Sequence, residues 1–137
     1  MFVLRNTTST LQMQAGSDPG ADVPIYISFS ETIDAQQVGK QVSAGDQNLQ
    51  YQTSKLANGG TTAVTVLSAP ASGYRRRMQG LLMKNTGAGS VAYSFRFIDS
   101  AATVTTVTLT FTLVTGDILQ YQDGKGFWVT DSAGYVK

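Results

Sequence analysis

Residues 103–130 read TVTTVTLTFTLVTGDILQYQDGKGFWVT. Within them Val107, Leu109, Phe111 and Leu113 alternate with Thr106, Thr108, Thr110 and Thr112. A period of two, apolar on one side and threonine on the other, is the pattern of a strand with one face buried and one in water. Thr115-Gly116-Asp117 interrupts that strand, Ile118 to Gln122 reads as a second, and Phe127-Trp128-Val129 begins a third. Between the last two lies Asp123-Gly124-Lys125-Gly126, and Asp-Gly between strand-like runs predicts a hairpin because both residues tolerate positive φ. The stretch therefore predicts a β-meander, with no evident chemistry in it. Val104 is out of phase with Val107, which predicts a bulge or kink near Thr105.

Upstream, the same period recurs. Ser90 to Ile98 sets Val91, Tyr93, Phe95 and Phe97 against Ala92, Ser94 and Arg96. Tyr74 to Asn85 has Leu81-Leu82-Met83 at its centre, and three consecutive apolar residues predict a strand buried on both faces or a short interior segment. Thr61 to Ala69 is rich in β-branched residues and reads as a strand. Val23 to Ser30 places Val23, Ile25, Ile27 and Phe29 on one face, and Thr10 to Ala15 does the same with Leu11, Met13 and Ala15. Phe2 to Arg5 predicts a short strand. Glu31 to Gly39 reads as a connection into a weak strand at Val38 to Ser43, then a turn at Gly45-Asp46 and a strand at Gln47 to Thr53 carrying Leu49 and Tyr51. About eight to ten short strands with regular turn signals predict an all-β fold, an antiparallel β-sandwich of jelly-roll or Ig-like type. At 137 residues one domain is expected over 1–137, with residues 1–60 supplying the N-terminal strands and long loops and 61–137 the C-terminal meander.

Composition narrows the function. Hydrophobic residues are 42% of the chain and charged residues only 14%, so the polar share falls to Thr, Ser, Gln, Asn and Gly. That balance suits an all-β surface or one covered by partners. A net charge of +1 supplies no field for nucleic acid or an anionic membrane. The opening apolar run is too short for a signal peptide, and nothing approaches the length of a membrane-spanning helix. The chain opens on Met and reads as a complete small gene product made in a cytoplasm.

Histidine and cysteine are both absent. That removes disulfides, the usual general base, the thiol nucleophile and the nitrogen and sulfur metal ligands. No glycine-rich phosphate loop leads into a helix, and no G-x-S-x-G elbow occurs. Two of the nine carboxylates could in principle form a glycosidase pair, as in a depolymerase, but most sit at turns, where Asp bonds its own backbone. Asp18, Asp22 and Asp123 lie in loops without the ladder of a calcium site. No catalytic residue, cofactor or metal is expected.

Arg75-Arg76-Arg77 is the one charge cluster. On a strand neighbouring side chains point to opposite faces, so the three cannot form one flat patch. Carboxylate pairing, within the chain or across a subunit contact, is the expectation. Trp128, beside Phe127 and near Tyr121, reads either as a core aromatic closing the sandwich or as a platform for a sugar or a subunit. Arg75, Arg76, Arg77, Tyr121, Phe127 and Trp128 are thus the candidate interface residues.

From Thr62 onward the chain resembles small structural proteins of tailed bacteriophages. The resemblance is carried by Thr62-Ala63-Val64-Thr65 and Ala69-Pro70-Ala71, then the arginine stretch, Lys84-Asn85, and the run from Gly116-Asp117 through Tyr121 and Asp123-Gly124 to Gly126-Phe127-Trp128. Phe127 stands where that pattern often has tryptophan. The resemblance implies a non-enzymatic virion protein: a capsid decoration or cement protein, or a head–tail neck or tail accessory. Its partners would be the major capsid or neck and tail proteins and copies of itself, with a trimer suiting a capsid's local three-fold sites. The competing expectation is a host-recognition or carbohydrate-binding module of a tail fibre or tip, with Tyr121, Phe127 and Trp128 as an exposed aromatic cluster.

Overall fold

The computed structural model describes residues 2–33, 48–99 and 104–137. The described residues form ten strands: β1 (Val3–Leu4), β2 (Thr10–Ala15), β3 (Val23–Ile33), β4 (Asn48–Leu56), β5 (Val64–Leu67), β6 (Tyr74–Lys84), β7 (Val91–Asp99), β8 (Val104–Leu113), β9 (Ile118–Gln122) and β10 (Gly126–Thr130). They build two sheets. The larger runs β10-β9-β6-β3-β4, with β1 on the β9 side of β6; the smaller runs β5-β2-β7-β8. Every pairing is antiparallel. The fold is an all-β sandwich.

Alternation decides the core. Val23, Ile25, Ile27 and Phe29 from β3, Met78, Leu81 and Met83 from β6, and Leu119 and Tyr121 from β9 face Leu11, Met13 and Ala15 of β2 and Val91, Tyr93 and Phe95 of β7, all buried. Each large side chain fully withdrawn from water is worth about 1.5–3 kcal/mol. One flank is aromatic: Phe127 packs against Tyr121, Phe111 and Phe95 at centroid separations of 4.8, 4.9 and 5.1 Å, with Phe2 5.1 Å from Phe95.

The predicted C-terminal meander does not form. β8 pairs with β7 in the smaller sheet, whereas β9 pairs with β6 in the larger. Thr115-Gly116-Asp117 therefore carries the chain from one layer to the other, and of β8, β9 and β10 only the last two pair with each other. The N- and C-terminal halves interleave, β3 lying between β4 and β6, so the chain does not divide near residue 60.

Other differences are local. β3 continues to Ile33, and β5 is confined to Val64–Leu67. The expected strand at Val38 to Ser43 and the turn at Gly45-Asp46 lie outside the described residues. The bulge expected near Thr105 is present as a register shift: Phe97 faces Val107, but Ile98 faces Thr105. A second shift places Gln79 as an extra residue in β6, since Ser28 faces Gly80 while Phe29 faces Met78. Leu82 is not buried, although Leu81 and Met83 are; β6 is central in its sheet, but among the described residues none covers the sheet's outer side there.

The end of the sandwich where the chain changes layers is closed by polar groups. Asn85 is fully buried; its amide donates to Gly89 O and Leu113 O, and its Oδ1 accepts from Gly87 N and the Tyr93 hydroxyl. Its backbone N–H donates to Asp117 O, and its own carbonyl accepts from Gly116 N. Burial pushes the Tyr93 phenol up to about 12. Gly87 is required here, because a Cβ would sit 1.5 Å from Pro19 O.

Candidate interaction surface

Strand β4 orients itself against its own composition. Its register with β3 puts Gln50, Gln52 and Ser54 beside the inward-facing Phe29, Ile27 and Ile25. Leu49, Tyr51 and Thr53 consequently lie beside the outward-facing Ser30, Ser28 and Tyr26. The pairing is fixed by the rest of β3, whose apolar face must point inward, and a one-residue slip would expose all of it. Gln52 is accommodated at the layer boundary, accepting from Ser68 N and Ser68 Oγ at 3.1 and 3.2 Å. Ser54 Oγ is buried without a partner among the described residues.

The result is an apolar outer face on the larger sheet. Tyr51, Leu49, Tyr26 and Leu82 are 75, 57, 50 and 45% exposed on three adjacent strands. Tyr26, Tyr51 and Leu82 border a shallow groove of about 280 Å³, with Ser28, Gly80 and Gln120 also in its lining. Gly80 forms part of its floor; a Cβ there would meet Ser28 Oγ at 2.9 Å. Trp128 faces Gln120 across the β9–β10 pair and is half-buried on this outer side, while its neighbours Phe127 and Val129 pack into the core.

The sequence-predicted interface residues separate into distinct environments. Tyr121 is buried and Phe127 is part of the inter-sheet aromatic group, so an exposed cluster of Tyr121, Phe127 and Trp128 does not form; strand parity sends only Trp128 outward. Burial raises the Tyr121 phenol, and the negative charge of Asp123 adds to the shift. Arg76 points inward: its guanidinium lies over the Phe29 ring at 4.9 Å, pairs with Glu31 at 2.6 Å, and donates to Ser68 O and Oγ. It straps the larger sheet to the segment following β5. Arg75 and Arg77 emerge on the opposite, outer face, where Arg75 donates to Thr32 Oγ1 at 3.1 Å and Arg77 pairs with Asp123.

The described carboxylates are engaged in holding the chain together. Asp18 accepts from Gly20 N and Gly59 N, and Asp22 from Asn58 N and Lys55 Nζ; these bonds hold both carboxyls below their usual range and clasp the loop before β3 to the one after β4. Asp131 accepts from Ala133 N and Tyr135 N. Asp117 is buried, which opposes its ionisation, yet Lys137 Nζ at 2.7 Å and Val114 N outweigh that cost and leave its carboxyl below the ordinary value.

The residues missed from sequence are Tyr26 and Tyr51. Tyr26 carries a signal, since it occupies the otherwise polar phase of β3 with Ser28 and Ser30. Tyr51 carries none, because Leu49 and Tyr51 look like a core phase until β3 sets the register. No family model, curated protein or solved structure matches this chain.

Proposed function

We propose that this chain is a non-enzymatic structural module that assembles into a larger particle through the outer face of its larger sheet, and that the particle is a bacteriophage virion. The inverted orientation of β4 supports this reading. Exposing Leu49 and Tyr51 while lodging glutamines at the layer boundary is unfavourable in water, and it becomes favourable once a partner covers the face. Tyrosine and leucine on a stiff sheet lose little side-chain freedom on docking, and aromatic anchors of this kind dominate binding energy in interfaces. The role is that of a capsid decoration or cement protein or a neck or tail accessory, docking on the major capsid or neck and tail proteins and on further copies of itself, with a trimer the favoured state.

The test is the copy number of the chain in purified particles, by quantitative mass spectrometry against the major capsid protein. Copies comparable with the capsid protein fit decoration, and a handful fits the neck or tail. Absence from particles overturns the reading.

A second reading, a host-recognition or carbohydrate-binding module, is favoured by the groove between Tyr26 and Tyr51, whose rings suit stacking on a sugar. Titration of glycans against Trp128 fluorescence separates the two, because saturable quenching is expected only of the carbohydrate-binding module.

A further inference from the structure

At the end of the larger sheet opposite Asn85, the outer face holds a polar pocket of about 130 Å³. It is lined by Arg5 and Val3 from the β1 segment, Ser30 and Thr32 from β3, and Arg75, Arg77 and Gln79 from β6. Strand parity gathers them. Ser30 lies beside Arg77 and Thr32 beside Arg75, while the intervening Glu31–Arg76 pair faces inward. The extra residue at the β6 bulge places Gln79 on the same wall.

The hydrogen bonds in the wall run in a consistent direction. Arg75 Nε donates to Thr32 Oγ1 at 3.1 Å, and Gln79 Nε2 donates to Ser30 Oγ at 3.0 Å. Each hydroxyl thus acts as an acceptor toward the wall and keeps its single proton for another group. Thr32 is 6% exposed, so its hydroxyl belongs to the built wall. Asp123 holds the Arg77 fork in place. Among the described residues no carboxylate pairs with Arg75, whose remaining N–H groups supply further donors.

We propose that this pocket binds a tetrahedral oxyanion, phosphate or sulfate, through Arg75, Arg77, Ser30 and Thr32, with Arg5 at its wall. Arg75 and Arg77 spend their Nε–H groups on Thr32 and Asp123, and their remaining Nη–H groups are charged donors for the oxygens of an oxyanion, while fixed hydroxyl donors complete a site that a halide matches poorly. The site is independent of the assembly reading, since it needs no partner protein.

The experiment uses the full chain. Inorganic phosphate and sulfate are titrated by calorimetry against sodium chloride at matched ionic strength, with the arginine Nε–H resonances followed by NMR. Saturable binding of both oxyanions, with shifts centred on Arg75 and Arg77, is expected. Arg75→Gln weakens binding about tenfold or more, the loss of a charged donor. Ser30→Ala weakens it by about threefold, the loss of one neutral donor, and removes no charge from the fold. Both variants are compared with the wild type by melting in chloride alone, so that a folding defect is separated from a binding defect. No saturation beyond chloride overturns the proposal, as does unchanged affinity in both folded variants.

Discussion

The two outer faces of the sandwich are built from the same kind of strand and finished differently. On the smaller sheet Gln12, Gln14, Ser94, Thr108, Thr110 and Thr112 occupy the outward phase, and some of them bond along the face: Ser94 Oγ lies 3.2 Å from Thr110 Oγ1, and Gln14 accepts from Arg96 and donates to Thr61 O. On the larger sheet the corresponding places hold Tyr26, Leu49, Tyr51 and Leu82. A face whose polar groups bond along its own strands is finished as it stands; a face that leaves large apolar groups in water is finished only by something else. Under the proposed assembly role, this difference is the reason for placing docking on the larger sheet's outer face.

The comparison holds only while both faces belong to one cooperative unit, and the Asn85 corner is the joint. Asn85 follows β6 of the larger sheet, yet it serves Tyr93 and Leu113 of the smaller. Asn85→Ala leaves a buried phenol and a buried carbonyl without partners, at about 1–3 kcal/mol each, so a loss of about 4 kcal/mol is expected in urea unfolding. A loss below about 1 kcal/mol would mean that the sheets are joined mainly elsewhere.

The next test sets the faces directly against each other. Leu82→Asp is expected to weaken association with particles by about thirtyfold, the scale of an interface anchor, with little change in melting temperature because Leu82 is already half in water. Thr110→Asp, at the matching place on the smaller sheet, leaves association unchanged. Equal effects from the two, in co-sedimentation, would remove the distinction between the faces.

Acid probes the joint more gently. The folded Asp117 carboxyl lies below its ordinary value of 3.8, so it contributes stability that is fully present above the unfolded value and is lost as pH falls through the folded one. Asp117→Asn is therefore expected to flatten the fall of melting temperature below about pH 4, while lowering stability at neutral pH. The smallest effect belongs to the finished face: Thr110→Val should change unfolding free energy by less than about 0.5 kcal/mol, as an exposed hydroxyl gains little from its neighbour.

Several residues of the C-terminal half singled out in the sequence have structural duties. Asn85 and Asp117 close the corner, Gly116 and Gly124 adopt positive φ, Tyr121 is core, and Asp123 holds Arg77. The apolar outer face comes largely from Leu49, Tyr51 and Tyr26, which lie before these residues in the chain.

Period-two alternation by itself determined most strands and the inner faces of β2, β3, β7 and β8, because burying one side of a pleated strand leaves a direct trace in residue order. It also determined that Arg76 would part from Arg75 and Arg77. Only the tertiary structure decided which sheet each strand joins, because backbone hydrogen bonds are made alike by every residue and do not name a partner. For the same reason β8 and β9 part company across Thr115-Gly116-Asp117, and β4 takes its register from β3 with Leu49 and Tyr51 facing water while Leu56 is buried. The arginine pocket, too, exists only once β1, β3 and β6 lie side by side, since its walls come from segments about 25 to 70 residues apart and share nothing but the face they point to.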